Sequence, residues 1–142
     1  MSQVDRPRRT FRSIAAVFAG MLAVIVLSIG TDAAMSALGV FPTLGGPMSD
    51  PMLLLATLYR TAYGVAGGYI AARLAPDRPM RHALILGTLG LILSLVGVVA
   101  TWNTKAAIGH EWYPLALVVL ALPPAWLGGR LRETELRPRV SG

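Results

Sequence analysis

The sequence contains no cysteine, so it can form neither a disulfide bond nor a cysteine-ligated metal site, and it has no thiol nucleophile. Charged residues are also scarce, at 14% of the 142 residues. A typical soluble domain has about 25%. Hydrophobic residues make up 54% of the chain. This composition excludes thiol chemistry and is typical of a protein that lies in a lipid bilayer.

Histidines and catalytic motifs are few as well. His82 and His110 are separated by a hydrophobic segment long enough to cross a bilayer, so they cannot share a metal ion within one chain. The H-E-x-x-H, G-x-S-x-G and G-x-x-x-x-G-K-[ST] motifs are absent. Asp50, His110 and Glu111 could form an acid–base group, although a solvated loop end is the simpler interpretation. We therefore expect a non-enzymatic protein that uses no cofactor and no metal.

The hydrophobic residues form four blocks separated by short polar connections. Each block is close to the roughly 20 residues that a helix needs to cross a hydrocarbon core of ~30 Å. We expect an all-α integral membrane protein, with four transmembrane helices in one antiparallel bundle domain over residues 1–142. The predicted spans are residues 13–38, 52–74, 82–101 and 112–131, with basic tails at 1–12 and 132–142.

The first block has an alternative interpretation as a cleaved signal peptide, because it follows a basic start and contains small residues at DAAMSA. Its apolar core is longer than the roughly 7 to 15 residues that are usual in such peptides. An uncleaved first helix is therefore the preferred prediction.

Basic residues are strongly biased to one side of this arrangement. Of the 13 basic residues, 11 lie in or next to the two tails and the connection between the second and third spans. The opposite side carries only Lys105. Because short cytoplasmic segments are enriched in arginine and lysine, both termini should be cytoplasmic. The small size and the preference for arginine over lysine suggest a bacterial cytoplasmic membrane.

The formal charge of +6 could also indicate a nucleic-acid-binding protein. However, the basic residues cluster at the ends of hydrophobic blocks, without a folded module that reads bases. We therefore expect no nucleic-acid partner. The expected partners are anionic lipid headgroups on the cytoplasmic side, and a second copy of the chain or another membrane protein.

One arginine lies inside a predicted span. Arg60 falls within LLLATLYRTAYGVAGGYIAARL, on the helix face that carries small and polar residues. Asp32 lies about 9 Å below the outer end of the first span, and Arg60 about 12 Å below the outer end of the second. Since an unpaired arginine at the membrane centre costs about 2.5–3.5 kcal/mol, we predict an Asp32–Arg60 ion pair. Its candidate hydrogen-bond partners are Ser28, Ser36, Thr57 and Tyr63.

Small residues recur on single helix faces, where they let helix backbones approach closely in lipid. We expect these faces to form the interior contacts of the bundle. The predicted packing residues are Gly64, Gly67, Gly68, Gly87, Gly90, Ser94, Gly97, Ala121, Ala125 and Gly128. Pro123 and Pro124 should kink or break the fourth helix, either for packing alone or as a gate.

Two functions remain open from the sequence alone. The small-residue faces favour a non-enzymatic membrane protein that acts through helix contacts, such as an accessory subunit, an envelope factor or a scaffold. Asp32, Arg60 and the proline pair support an alternative, a small oligomeric transporter or channel. The predicted ion pair is accordingly either a structural contact or part of a ligand or ion path.

Overall fold

The computed structural model describes residues 5–43, 46–102 and 111–138. Lys105 and His110, which entered the predictions above, lie outside these ranges. The regular elements of the described part are all helices. They are α1 (Asp5–Ala37), α2 (Asp50–Leu74), α3 (Pro79–Trp102), α4 (Trp112–Val119) and α5 (Leu122–Leu136). The prediction of an all-helical chain is therefore confirmed for the described residues.

Within the described residues, three helical stretches are long and apolar enough to cross a membrane. They are Arg6–Ala37, Pro79–Trp102, and Trp112–Leu136, which combines α4 and α5. These stretches indicate a multi-pass membrane protein. α2 is not among them, although it has 25 residues. The physical reason is that Arg60 and the nearby tyrosines and threonines lower its hydropathy.

The helices extend beyond the predicted spans at the arginine-rich ends. α1 begins at Asp5, so most of the predicted amino-terminal tail is helical. α5 continues to Leu136, into the predicted carboxy-terminal tail. Arginine is a good helix former, so an apolar helix can continue through such segments after leaving the hydrocarbon.

The last helical stretch is interrupted between α4 and α5. α4 ends at Val119, and α5 begins three residues later with Pro123 and Pro124 in its first turn. A proline lacks the N–H that would bond the carbonyl four residues earlier. The carbonyls of Val119 and Leu120 therefore lose their helical donors, which places the interruption one turn before the prolines.

α2 is the central helix and packs against α1, α3 and α5. Its buried residues are mostly small: Leu53, Ala56, Gly67, Gly68, Ala71 and Ala72. The contacts between α1 and α2 follow opposite sequence directions. Gly20 lies against Gly67 midway along α1, whereas Thr31, nearer the end of α1, contacts Tyr63, which comes earlier in α2.

Two groups of buried apolar side chains form the core. One lies where α2 and α4 begin, and consists of Phe41, Leu53, Ala56 and Tyr113. The indole Nε1–H of Trp112 donates to Asp50 Oδ1 at 2.9 Å beside it, which joins the starts of α4 and α2. The other group lies further along the bundle, and consists of Val17, Ala71 and Leu86. The polar site described next lies between these two groups along α2.

Candidate functional site

Asp32 of α1 and Arg60 of α2 meet between their helices. Arg60 Nη2 lies 2.5 Å from Asp32 Oδ2 and donates a charge-assisted hydrogen bond to it. The side chains of Arg60 and Asp32 are 32% and 35% exposed. The structure therefore brings together the two residues that the sequence predicted to pair.

Tyr59 is a third member of this site. Its hydroxyl donates to Asp32 Oδ1, so the two carboxylate oxygens of Asp32 have different donors. The Tyr59 ring packs beside the rings of Phe41 and Tyr63, with centroids 6.5 Å and 5.8 Å away. Sequence reasoning missed Tyr59, although its position one turn before Tyr63 places both hydroxyls on the same side of α2.

None of the four predicted hydrogen-bond partners bonds to the ion pair in the described part of the chain. Thr57 donates to a carbonyl one turn earlier in α2, a common bond for threonine in a helix. Ser36 donates to a carbonyl in the connection after α1. Tyr63 bonds the hydroxyl of Thr31 at 2.6 Å. Ser28 makes no hydrogen bond within the described part of the chain.

Five of the predicted packing glycines lie where a neighbouring helix leaves no room for a side chain. A Cβ atom on any of them would come within 3.0 Å of an atom of another helix. They are Gly64, Gly67, Gly68, Gly87 and Gly128. Ala125 is 3% exposed, and it supplies the contact to Gly68 through its backbone and to Gly87 through its Cβ. These small residues hold α2, α3 and α5 in close backbone contact.

The outer part of the small-residue face of α3 is different. A Cβ on Gly97 would meet nothing within 4 Å, and a Cβ on Gly90 would meet only the Cβ of Ala121, at 4.0 Å. Ser94 lies between them and is half-buried. No helix of the described chain packs closely on these positions, in contrast to the prediction that the whole face is an interior contact.

A cavity of about 230 Å³ lies beside the ion pair. It is bounded by α1, α2, α3 and the junction between α4 and α5. The lining includes eight residues that the sequence singled out: Ser28, Arg60, Gly64, Gly87, Gly90, Ser94, Ala121 and Ala125. Nothing in the sequence indicated the cavity, because its walls come from helices whose relative positions are set only by packing.

Exposed polar contacts join α2 to α5 at the other end of the bundle. The Tyr69 hydroxyl lies within hydrogen-bond distance of both Glu135 carboxylate oxygens, at 2.9 and 3.0 Å. Arg132 Nη1 donates to Glu135 Oε2 at 2.9 Å. Exposed ion pairs of this kind contribute about 0–1 kcal/mol, so they assist the packing without determining it.

In the described ranges, no three histidine, aspartate or glutamate side chains come together in a way that could hold a metal ion. No protein-family model, curated protein or solved structure matches the chain. The role of the site is therefore argued from its own geometry.

Proposed function

We propose that the chain is a membrane protein with four transmembrane helices in an antiparallel bundle and both termini in the cytoplasm. In addition to the three long apolar stretches, α2 crosses the membrane, with its polar groups turned toward α1. The opposite sequence directions of the α1 and α2 contacts support the antiparallel arrangement. The arginine-rich ends support the orientation, and they would face the anionic headgroups of a bacterial cytoplasmic membrane.

Within this topology the proposed function is non-enzymatic and works through helix–helix contacts, as in an accessory subunit, an envelope factor or a scaffold. The observation that carries this proposal is that Asp32 accepts hydrogen bonds from both Tyr59 and Arg60. The negative charge of Asp32 is therefore bound by donors from a second helix of the same chain. A half-buried ion pair between two helices can fix the register of one helix on the other.

Neutral replacement of the pair tests this role. Arg60→Met combined with Asp32→Leu removes both charges and approximately keeps the side-chain volumes, so the double variant should accumulate in the membrane near the wild-type level. Arg60→Met alone leaves the half-buried carboxylate of Asp32 without its cation and should accumulate several-fold less. If the double variant accumulates no better than the single variant, the pair does not act as a contact between helices.

Mild extraction followed by mass measurement of the intact assembly tests the contact function itself. A complex with a different membrane protein is the expected result for an accessory subunit or a scaffold. A chain that remains monomeric after the mildest extraction would contradict a role based on contacts between proteins.

A second candidate is a small oligomeric transporter or channel that uses Asp32 and Arg60. It is favoured by the cavity against Arg60 and by the nearby interruption of the fourth helical stretch, because transporters often place binding sites at broken helices. Such a protein would assemble as the neutral double variant and lose flux. A defined homo-oligomer in the mass measurement would support this candidate over the first.

A further inference from the structure

The cavity beside Arg60 combines apolar walls with a small number of polar groups. Most of its lining is aliphatic, from side chains such as Val24, Leu86 and Leu117. The side chains with hydrogen-bonding groups are Ser28, Arg60, Thr61 and Ser94. A mostly apolar pocket with a few polar groups is the usual composition of a small-molecule site.

Three of these polar groups lack a partner. Arg60 Nε is buried and has no hydrogen bond, although Nη2 of the same guanidinium bonds Asp32. The hydroxyls of Ser28 and Ser94 are on half-buried residues and make no hydrogen bond within the described ranges. The great majority of buried polar atoms in proteins do have a partner. The hydroxyls of Ser28 and Ser94 are therefore free to donate to an acceptor in the cavity, whereas Arg60 Nε has almost no surface that such an acceptor could contact.

The charge of the wall limits the chemistry of that acceptor. Arg60 is the one charged side chain among the described lining residues, and Asp32 neutralises it at 2.5 Å. An anion would therefore meet a site without net positive charge. A neutral group that accepts hydrogen bonds, such as a carbonyl oxygen, fits the two serine hydroxyls.

The volume of the cavity limits the size of the ligand. A cavity of about 230 Å³ is larger than the roughly 150 Å³ cavity that accommodates benzene, and smaller than the roughly 300–1,000 Å³ of drug-sized sites. It accepts one or two fused rings, or a short segment of a longer chain. The cavity is partly open, so a ligand dissolved in the bilayer could enter.

We propose that this cavity binds a neutral, mostly apolar molecule that carries a carbonyl-type acceptor, with the acceptor directed to the hydroxyls of Ser28 and Ser94. The proposal does not depend on the helix-contact function, since a contact protein and a transporter could each hold such a ligand.

Two probes of matched shape test the proposal on the full chain in detergent. 2-Methyl-1,4-naphthoquinone has two carbonyl oxygens, and 2-methylnaphthalene has the same fused rings without them. Binding is measured as the saturable rise in Tm with probe concentration, followed by tryptophan fluorescence. The quinone should bind about tenfold more tightly than the hydrocarbon, because the hydrogen bonds from the two serine hydroxyls are lost with the oxygens.

Two variants of α3 locate the binding site. Gly90→Leu should abolish quinone binding, because a Cβ on Gly90 has only Ala121 at 4.0 Å and the larger side chain can occupy the cavity. Gly97→Leu is the matched control: it lies on the same helix, in open space and outside the cavity wall, and should bind like wild type. Ser94→Ala, which changes the volume little, should weaken quinone binding several-fold and leave hydrocarbon binding unchanged.

Several results would overturn the proposal. Equal affinity for the two probes would show that the polar groups do not select an acceptor. Quinone binding by Gly90→Leu at wild-type affinity would place the site elsewhere. The absence of a saturable Tm shift in the wild-type protein would mean that the cavity holds only lipid or water. Should Gly90→Leu fail to fold, the comparison of the two probes on Ser94→Ala decides the question.

Discussion

Gly68 of α2 and Ala125 of α5 lie backbone against backbone. A Cβ on Gly68 would be 2.5 Å from the Ala125 carbonyl oxygen and 2.8 Å from its Cα. Both residues are buried. A backbone segment within a helix cannot rotate out of the way as a side chain can, so this contact accepts only glycine at position 68.

Replacing Gly68 by alanine should therefore separate α2 from α5. We expect Gly68→Ala to lower the free energy of unfolding by about 1–3 kcal/mol, the usual effect of overpacking. Gly97→Ala is the control, since its Cβ enters open space; it should be neutral or stabilise the protein by up to about 1 kcal/mol through helix propensity. The loss of helicity during denaturation in detergent measures the free energy of unfolding of both variants. Equal effects of the two substitutions would contradict the close contact at Gly68.

The hydroxyls of Tyr59 and Tyr63 should differ in their contribution to stability. Tyr59→Phe removes a donor to the Asp32 carboxylate, and hydrogen bonds to charged groups contribute about 1.5–3 kcal/mol. Tyr63→Phe removes a bond to Thr31, which still donates to the Leu27 carbonyl; interhelical bonds of this neutral kind average about 0.6 kcal/mol in membranes. Equal losses in the same unfolding measurement would argue against the assigned role of Tyr59.

The connection between α2 and α3 offers a stabilising substitution. Arg78 has a backbone φ of 42°, in the left-handed region, and it precedes a proline. That conformation costs a non-glycine residue about 1–2 kcal/mol in the folded state. Glycine makes the unfolded chain more flexible, which lowers stability by only about 0.4–1 kcal/mol. Arg78→Gly should thus raise Tm. Arg81→Gly removes the same charge from a position inside α3. It should lower Tm, because glycine within a helix costs about 1 kcal/mol of stability. Shifts of the same sign would contradict this prediction.

Labelling of single cysteines should decide the topology, because the chain has no cysteine of its own. Thr43→Cys and Thr134→Cys introduce thiols at exposed positions before α2 and near the end of α5. A membrane-impermeant maleimide added to intact cells should label the first variant only, and the second after permeabilisation. Labelling of both variants from outside would mean that α2 does not cross the membrane. Labelling of the second variant alone would mean that the orientation is opposite to the proposed one.

The sequence was most informative where helical geometry alone fixes positions. The depths of Asp32 and Arg60 follow from a rise of about 1.5 Å per residue, and their contact required only that α1 and α2 be neighbours. The glycines of α2 were likewise recognisable as packing residues. All of these inferences depend on one helix and its nearest neighbour in the sequence.

What could not be predicted depends on how non-consecutive helices pack. Tyr59 packs beside Phe41, which belongs to the connection after α1, and its hydroxyl bonds Asp32. Gly87 is closely covered by Ala125 and Leu122 of α5, whereas Gly90 has only the Cβ of Ala121 at 4.0 Å. Helical spacing places both glycines on one face and cannot distinguish them.

In the proposed topology, the central position of α2 has a consequence for biogenesis. α2 is the helix least suited to enter the membrane by itself, and the partner of its arginine is in the helix that precedes it. The ribosome completes α1 first, so Asp32 is already in the bilayer when Arg60 emerges. Membrane integration of α2 therefore depends on the earlier helix, and the order of synthesis becomes part of how this chain reaches its final form.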